Sequence, residues 1–144
     1  MVKTLPDKYI RKAIYNAING VNVNTYSIPC FDTRVPNNDK RNFYVIMSTQ
    51  SNEVAKDTKC GYKWQSQILL DITTIYDING NTGSRLMADN ILDAVRSATN
   101  SLTLDVASGL EIVSQKQSFP SDLNTVTQNE IVYRKFIRIE FLIN

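Results

Sequence analysis

The stretch Glu130-Ile-Val-Tyr-Arg-Lys-Phe-Ile-Arg-Ile-Glu-Phe-Leu-Ile143 alternates with the period of a β-strand, and its reading decides the fold. Successive strand side chains point to opposite faces, so Ile131, Tyr133, Ile137, Ile139, Phe141 and Ile143 share one side. That side is predicted to be buried. The other carries Val132, Arg134, Phe136, Arg138, Glu140 and Leu142. This mixture is too apolar for plain solvent and too charged for a closed core, and it reads as a surface made for contact.

The chain has 144 residues, 42% of them hydrophobic and 21% charged, which fits one globular domain over 1–144. No apolar run approaches the ~18 residues of a membrane span, so no membrane segment is expected. The opening Met1-Val-Lys-Thr-Leu-Pro-Asp-Lys-Tyr-Ile10 lacks the apolar centre and small-residue cleavage site of a secretory signal, which predicts synthesis into a cytoplasm. Cys30 and Cys60 then read as free thiols rather than as a disulfide framework. A net charge of +2 is slight for a protein that neutralises a row of phosphates. Histidine is absent, which removes the commonest general base and metal ligand and leans against an enzyme.

Working back from the last strand, Ser118 to Asn129 is polar and predicted as a loop, and Leu110 to Gln115 as a strand. Before them, Met87, Ile91, Ala94, Val95 and Ala98 form the stripe of a helix that Ser84 is placed to cap. Arg85 with Asp89, and Asp93 with Arg96, have the spacing of ion pairs on its outer side. Trp64, Ser66, Ile68, Leu70, Ile72, Thr74 and Tyr76 share one face of a long strand, with Gln65, Gln67, Asp71 and Thr73 on the other. Phe43 to Ser48 is a second strand, and the polar Gln50 to Gly61 is predicted as a protruding loop between the two. Val23 to Ile28 suggests a short strand. At the start, Thr4 is placed to cap a helix that Pro6 and Asp7 open, whose buried stripe is Ile10, Ala13, Ile14, Ala17 and Ile18, and Gly20 stops it. The expected fold is α+β: a mainly antiparallel or mixed sheet of about four strands with two helices on one face.

Chemical motifs fail on inspection. Asp77, Asn79 and Asn81 match the first three ligand positions of a calcium loop, but Thr82 stands where its glycine belongs and Ala88 where its glutamate belongs. Gly80-Asn-Thr-Gly83-Ser84 lacks the lysine of a phosphate-binding loop. Asp89 and Asp93 are paired carboxylates without an evident pocket, and no serine or cysteine has a histidine to activate it. Neither a cofactor nor a metal is expected.

The order and spacing of Ile10 to Ile18, Val35-Pro36 before Phe43-Tyr-Val-Ile46, Gln67 to Thr74, Met87 to Val95 and Arg138 to Ile143 together resemble the tail-completion or tail-terminator proteins of tailed bacteriophages and the related head-to-tail connector (neck) ring subunits. Asn42 stands where that family often has a proline, and the Ser51 to Gly61 segment is long and polar for it. The resemblance implies a structural virion protein rather than an enzyme. It implies a homo-oligomeric ring, hexamer or dodecamer, between portal or neck and tail, meeting portal, connector or tail-tube proteins, with no membrane and no sequence-specific nucleic acid, although DNA passes through such rings. On that reading Arg134, Phe136, Arg138 and Glu140 form the oligomer interface, and Glu53, Lys56, Asp57 and Lys59 lie on a partner-contact loop. The rival expectation is a small α+β nucleic-acid-binding module using Lys8, Arg11 and Lys12 with Arg134 and Arg138.

Overall fold

A computed structural model describes residues 4–36, 42–58, 61–79 and 85–144, without the side chains of residues 56–58, 61 and 62. The first helix, α1, spans Asp7–Ile18 and buries Ile10, Ile14 and Ile18, one residue per turn on a single stripe. Pro6, not Thr4, occupies the N-cap, and no side chain caps the helix; the Pro6 carbonyl accepts from Ile10 N at 2.9 Å. At the far end Gly20 adopts φ +80°, which a residue with a Cβ adopts only at a cost. This turn lets Gly20 N donate to the Ile28 carbonyl at 2.8 Å, while Asn19 Oδ1 accepts from Cys30 N at 3.0 Å.

The predicted strand at Val23 to Ile28 is instead a tight hairpin, β1 (Val21–Val23) and β2 (Tyr26–Ile28). Asn24 and Thr25 both have positive φ at its turn, the conformation that matches the twist of a two-residue connection. β3 (Cys30–Asp32) then runs parallel to β4 (Phe43–Thr58), and β4 pairs antiparallel with β5 (Gly61–Asp77). The polar stretch expected as a loop from Gln50 to Gly61 is therefore mostly strand. Polar side chains are no obstacle there, because Ser51, Glu53, Val54 and Ala55 are exposed and the ladder hydrogen bonds do not depend on side-chain type. Two irregularities, between Met47 and Gln50 and between Val54 and Lys56, bend β4 as it leaves the sheet.

After β5, Asp77 Oδ1 accepts from Asn79 N at 2.8 Å in the expected turn, and α2 follows over Leu86–Ala98. Ser84 and the rest of the candidate anion loop lie outside the described residues. A short 3-10 helix at Val106–Ser108 leads to β6 (Ile112–Ser118), β7 (Leu123–Val126) and β8 (Glu130–Ile143). The segment from Ser118 to Asn129 thus contains a strand. Among the described residues the main sheet has six strands where about four were expected, ordered β3-β4-β5-β8-β6, with β7 beside β8 next to β6, and of these pairs only β3–β4 is parallel.

Both helices lie against one face of this sheet. Their stripes meet Val45 and Met47 of β4, Ile68, Leu70 and Ile72 of β5, and Ile137, Ile139, Phe141 and Ile143 of β8, all buried. Each such side chain taken from water contributes about 1.5–3 kcal/mol before the entropy of ordering it. The alternation read in the sequence holds: Trp64, Ser66, Ile68, Leu70, Ile72 and Thr74 are all buried on this side. The class is α+β.

Candidate interaction surface

The face of the sheet turned away from the helices is crossed by rows fixed by strand register. One row sets Tyr44, Thr73, Arg134 and Leu123 side by side, and the next sets Phe31, Ile46, Asp71 and Phe136. Leu69 opposite Arg138 follows, then Ser51, Gln67, Glu140 and Lys116. Apolar groups dominate towards one end and amides and charges towards the hairpin end. No described helix lies over it, and Arg134, Phe136, Arg138 and Glu140 are all half-buried by their neighbours alone.

Asp71 is the deepest charge on this face, only 3% exposed. Arg134 Nε donates to its Oδ2 at 3.1 Å, Arg134 Nη2 donates to the same oxygen, and Thr73 Oγ1 donates to Oδ1 at 3.1 Å. A buried carboxylate is tolerable when its lone pairs are filled in this way. The hydrogen bonds to Asp71 hold the Arg134 guanidinium above its usual pKa, so it stays charged. The same guanidinium stands 5.4 Å from the centre of the Phe136 ring. Beside it, burial and then the charge of Asp71 raise the Tyr44 hydroxyl. Arg134 therefore anchors the face internally, whereas Arg138 and Glu140 form no ion pair among the described residues.

The four candidates on the last strand are brought onto one face, as the alternation requires. The second set is spread differently. Glu53 sits on β4 opposite Gln65, exposed, and is not on a loop. Lys56 and Asp57 also belong to β4. Their side chains, and all of Lys59 and Cys60, lie outside the described residues. Ile143, the end of β8, pairs with Trp64, so the described part of the hairpin beyond that point runs past the edge of the sheet.

The cations of the nucleic-acid reading are not brought together. Lys8, Arg11 and Lys12 belong to the helix side, and Arg134 and Arg138 to the opposite side of the sheet. Arg11 donates to Gln50 at 2.6 Å and approaches Asp32 at 3.9 Å, and Lys12 pairs with Asp105 at 3.3 Å. Of the ion pairs expected along α2, neither forms among the described residues. Asp89 meets Lys135 of β8 instead, Nζ to Oδ1 at 2.6 Å, and Asp122 approaches the same ammonium at 3.0 Å. Lys135 lies at the parity of Tyr133 and Ile137, so its place on the helix side was readable from the alternation. A depression of about 190 Å³ bordered by Asn52, Glu53, Gln65, Ser66 and Glu140 is smaller than the roughly 300 Å³ at which ligand pockets begin, and one of about 320 Å³ between Lys12 of α1 and Asp105 just reaches it. Among the described residues no group of three or more acidic or cysteine side chains is placed to hold a metal.

The chain is similar to one chain of a gene transfer agent virion. That solved structure is the virion of a native gene transfer agent particle, and the likeness covers 94% of this chain and 96% of that one. The TM-score is 0.62 at 15% identity, so the two share a fold. No protein-family model matches the sequence, and no curated protein does.

Proposed function

We propose that this protein is a structural component of a tailed-phage-like virion, forming a ring in the head-to-tail connector or at the head-proximal end of the tail and joining portal or neck to tail. The observation that carries this reading is the shared fold over nearly the full length of both chains with a virion component. The sheet face left clear by the helices supports it, since Phe136, Arg138 and Glu140 offer an apolar ring and unsatisfied charges to a neighbouring subunit or an adjoining virion protein. Arg134, held by Asp71, keeps that face in shape. The exposed Glu53 and the hairpin beyond it reach away from the sheet towards another component.

The test is to purify particles from producing cells and look for this chain by mass spectrometry, with its position fixed by gold-labelled antibody. Detection at the junction of head and tail is the expected result; a chain absent from purified particles ends the reading. Arg138→Glu should leave the monomer folded and lower its incorporation. Particles that take up this variant as readily as the native chain would remove Arg138 from the contact surface.

A further inference from the structure

The two lateral edges of the main sheet differ in a way that bears on how copies would join. β3 pairs with β4 only at Val45, Ile46 and Met47, so the outer edge of β4 from Ser48 onward has no strand partner among the described residues. Ser48, Thr49, Ser51, Glu53, Val54 and Ala55 are all exposed along it. The opposite edge is made by β6 and β7, whose outer backbone groups have no strand partner among the described residues either. Val113, Phe119, Leu123 and Val126 follow one another along that edge, between 46% and 67% exposed. An unpaired edge lined by large apolar side chains is a template for another strand, and proteins that stay monomeric usually blunt such an edge with charge or cover it.

We infer that the β6 edge of one copy receives the β4 edge of the next copy from Ser48 onward, extending the sheet from subunit to subunit. This inference rests on the ring reading and concerns which part of the surface makes the ring. The strand directions fit. β4, β5, β8 and β6 alternate, so β4 and β6 run oppositely, and a neighbour's β6 laid beside β4 with the sheet faces aligned is antiparallel. The regular stretches are also of equal length, Gln50–Val54 between the two irregularities of β4 and Ser114–Ser118 after that of β6.

Charge selects the register. Residues opposite one another in an antiparallel pair share a face, so Glu53, on the uncovered face, must meet Ser114, Lys116 or Ser118. Setting it against Lys116 places Ser51 against Ser118 and leaves no like charges opposed. Lys116 already faces Glu140 across β6 and β8 without an ion pair among the described residues, and a neighbour's Glu53 gives it a partner on its other side.

The two edges are different surfaces, so the contact is head-to-tail. It closes into a ring when the rotation between copies permits, whereas a self-complementary patch would stop at a dimer. Joined in this way, the copies leave their uncovered faces free for the adjoining virion protein.

The test uses Glu53→Cys and Lys116→Cys together in the full chain, oxidised mildly in particle-producing cells and compared with the native chain and each single variant. A ladder of disulfide-linked multiples of the 16.3 kDa chain, present only in the double variant, is the expected result. A double variant that enters particles but yields no ladder overturns the edge pairing and leaves the ring reading standing. A chain absent from particles overturns the ring reading, and the inference with it. Single variants that yield dimers linked through the introduced cysteine of both copies overturn head-to-tail joining, and links to a different virion protein overturn the choice of a second copy as occupant.

Discussion

Lys135 of β8 and Asp89 of α2 meet on the helix side of the sheet, ammonium to carboxylate at 2.6 Å, at a position the strand alternation otherwise gives to apolar residues. The Lys135 side chain is 15% exposed, and Asp122 of the β6–β7 connection shares its charge. One lysine thus ties a helix and an edge segment to the central strand. Hydrogen bonding to Asp89, and then to Asp122, raises its pKa above the usual lysine value.

A folded-state pKa above the unfolded one means that Lys135 stabilises the protein fully below the unfolded value of ~10.4, and that this contribution fades as pH rises through the folded value. Lys135→Met should therefore cost about 1–2 kcal/mol near neutral pH. The difference from the native chain should shrink in strongly alkaline buffer. Urea unfolding of both chains at neutral and alkaline pH measures it, and an unchanged gap would show that packing rather than charge holds the position.

Asp71 and Arg134 give a second prediction. Asp71→Ala leaves a half-buried guanidinium without its carboxylate and should destabilise by about 2–3 kcal/mol. Replacing both residues with apolar groups should recover most of that loss, because the unpaired charge goes too. Denaturant midpoints of the single and double variants decide it. Equal losses in both would mean that the pair is worth more than the cost of stranding one partner.

The Cys30 thiol is pushed up to about 12, first by burial and then by Asp32. At pH 8 it should stay almost wholly protonated and resist alkylation in the native protein, then react once the chain is unfolded. Peptide mapping after iodoacetamide treatment, with and without urea, separates the two states. Rapid native labelling at Cys30 would mean that β3 opens readily from β4.

Gly20→Ala should cost about 1 kcal/mol, read as a lower thermal midpoint. The added Cβ would meet Ser27 Oγ at 3.6 Å, an ordinary contact, so the loss comes from the φ of +80° rather than from crowding. A neutral outcome would indicate that the end of α1 relaxes without disturbing its bonds to Ile28 and Cys30.

Much of this architecture is legible in one chain because period-two and period-3.6 patterns are imposed by burial on one side. The last strand, the long apolar part of β5 and both helical stripes were readable for that reason. The sequence does not show β7 or the outer half of β4, which are polar or exposed on both sides so that burial leaves no imprint, nor β3, whose three residues are too few for a period to show. The sheet face left clear by the helices divides in the same way. Alternation alone placed Arg134, Phe136, Arg138 and Glu140 together, but the grip of Asp71 on Arg134 joins residues far apart in sequence, and only the register of β5 against β8 reveals it. The exposed apolar residues of the β6–β7 edge were individually unremarkable. They become a feature once both strands are seen to border the same side of β8.

The place of β8 in the sheet also governs when the fold can form. It is synthesised after β5, β6 and β7, yet it is the strand that each of them pairs with, so during translation these elements emerge with their shared neighbour still to come. Pairing across such long sequence separation is slow compared with local helix formation. A chain interrupted before Glu130 would have helices and a hairpin but no means of closing the sheet. Broken translation products should therefore be cleared as unfolded polypeptide, because only a chain that carries β8 can close the sheet.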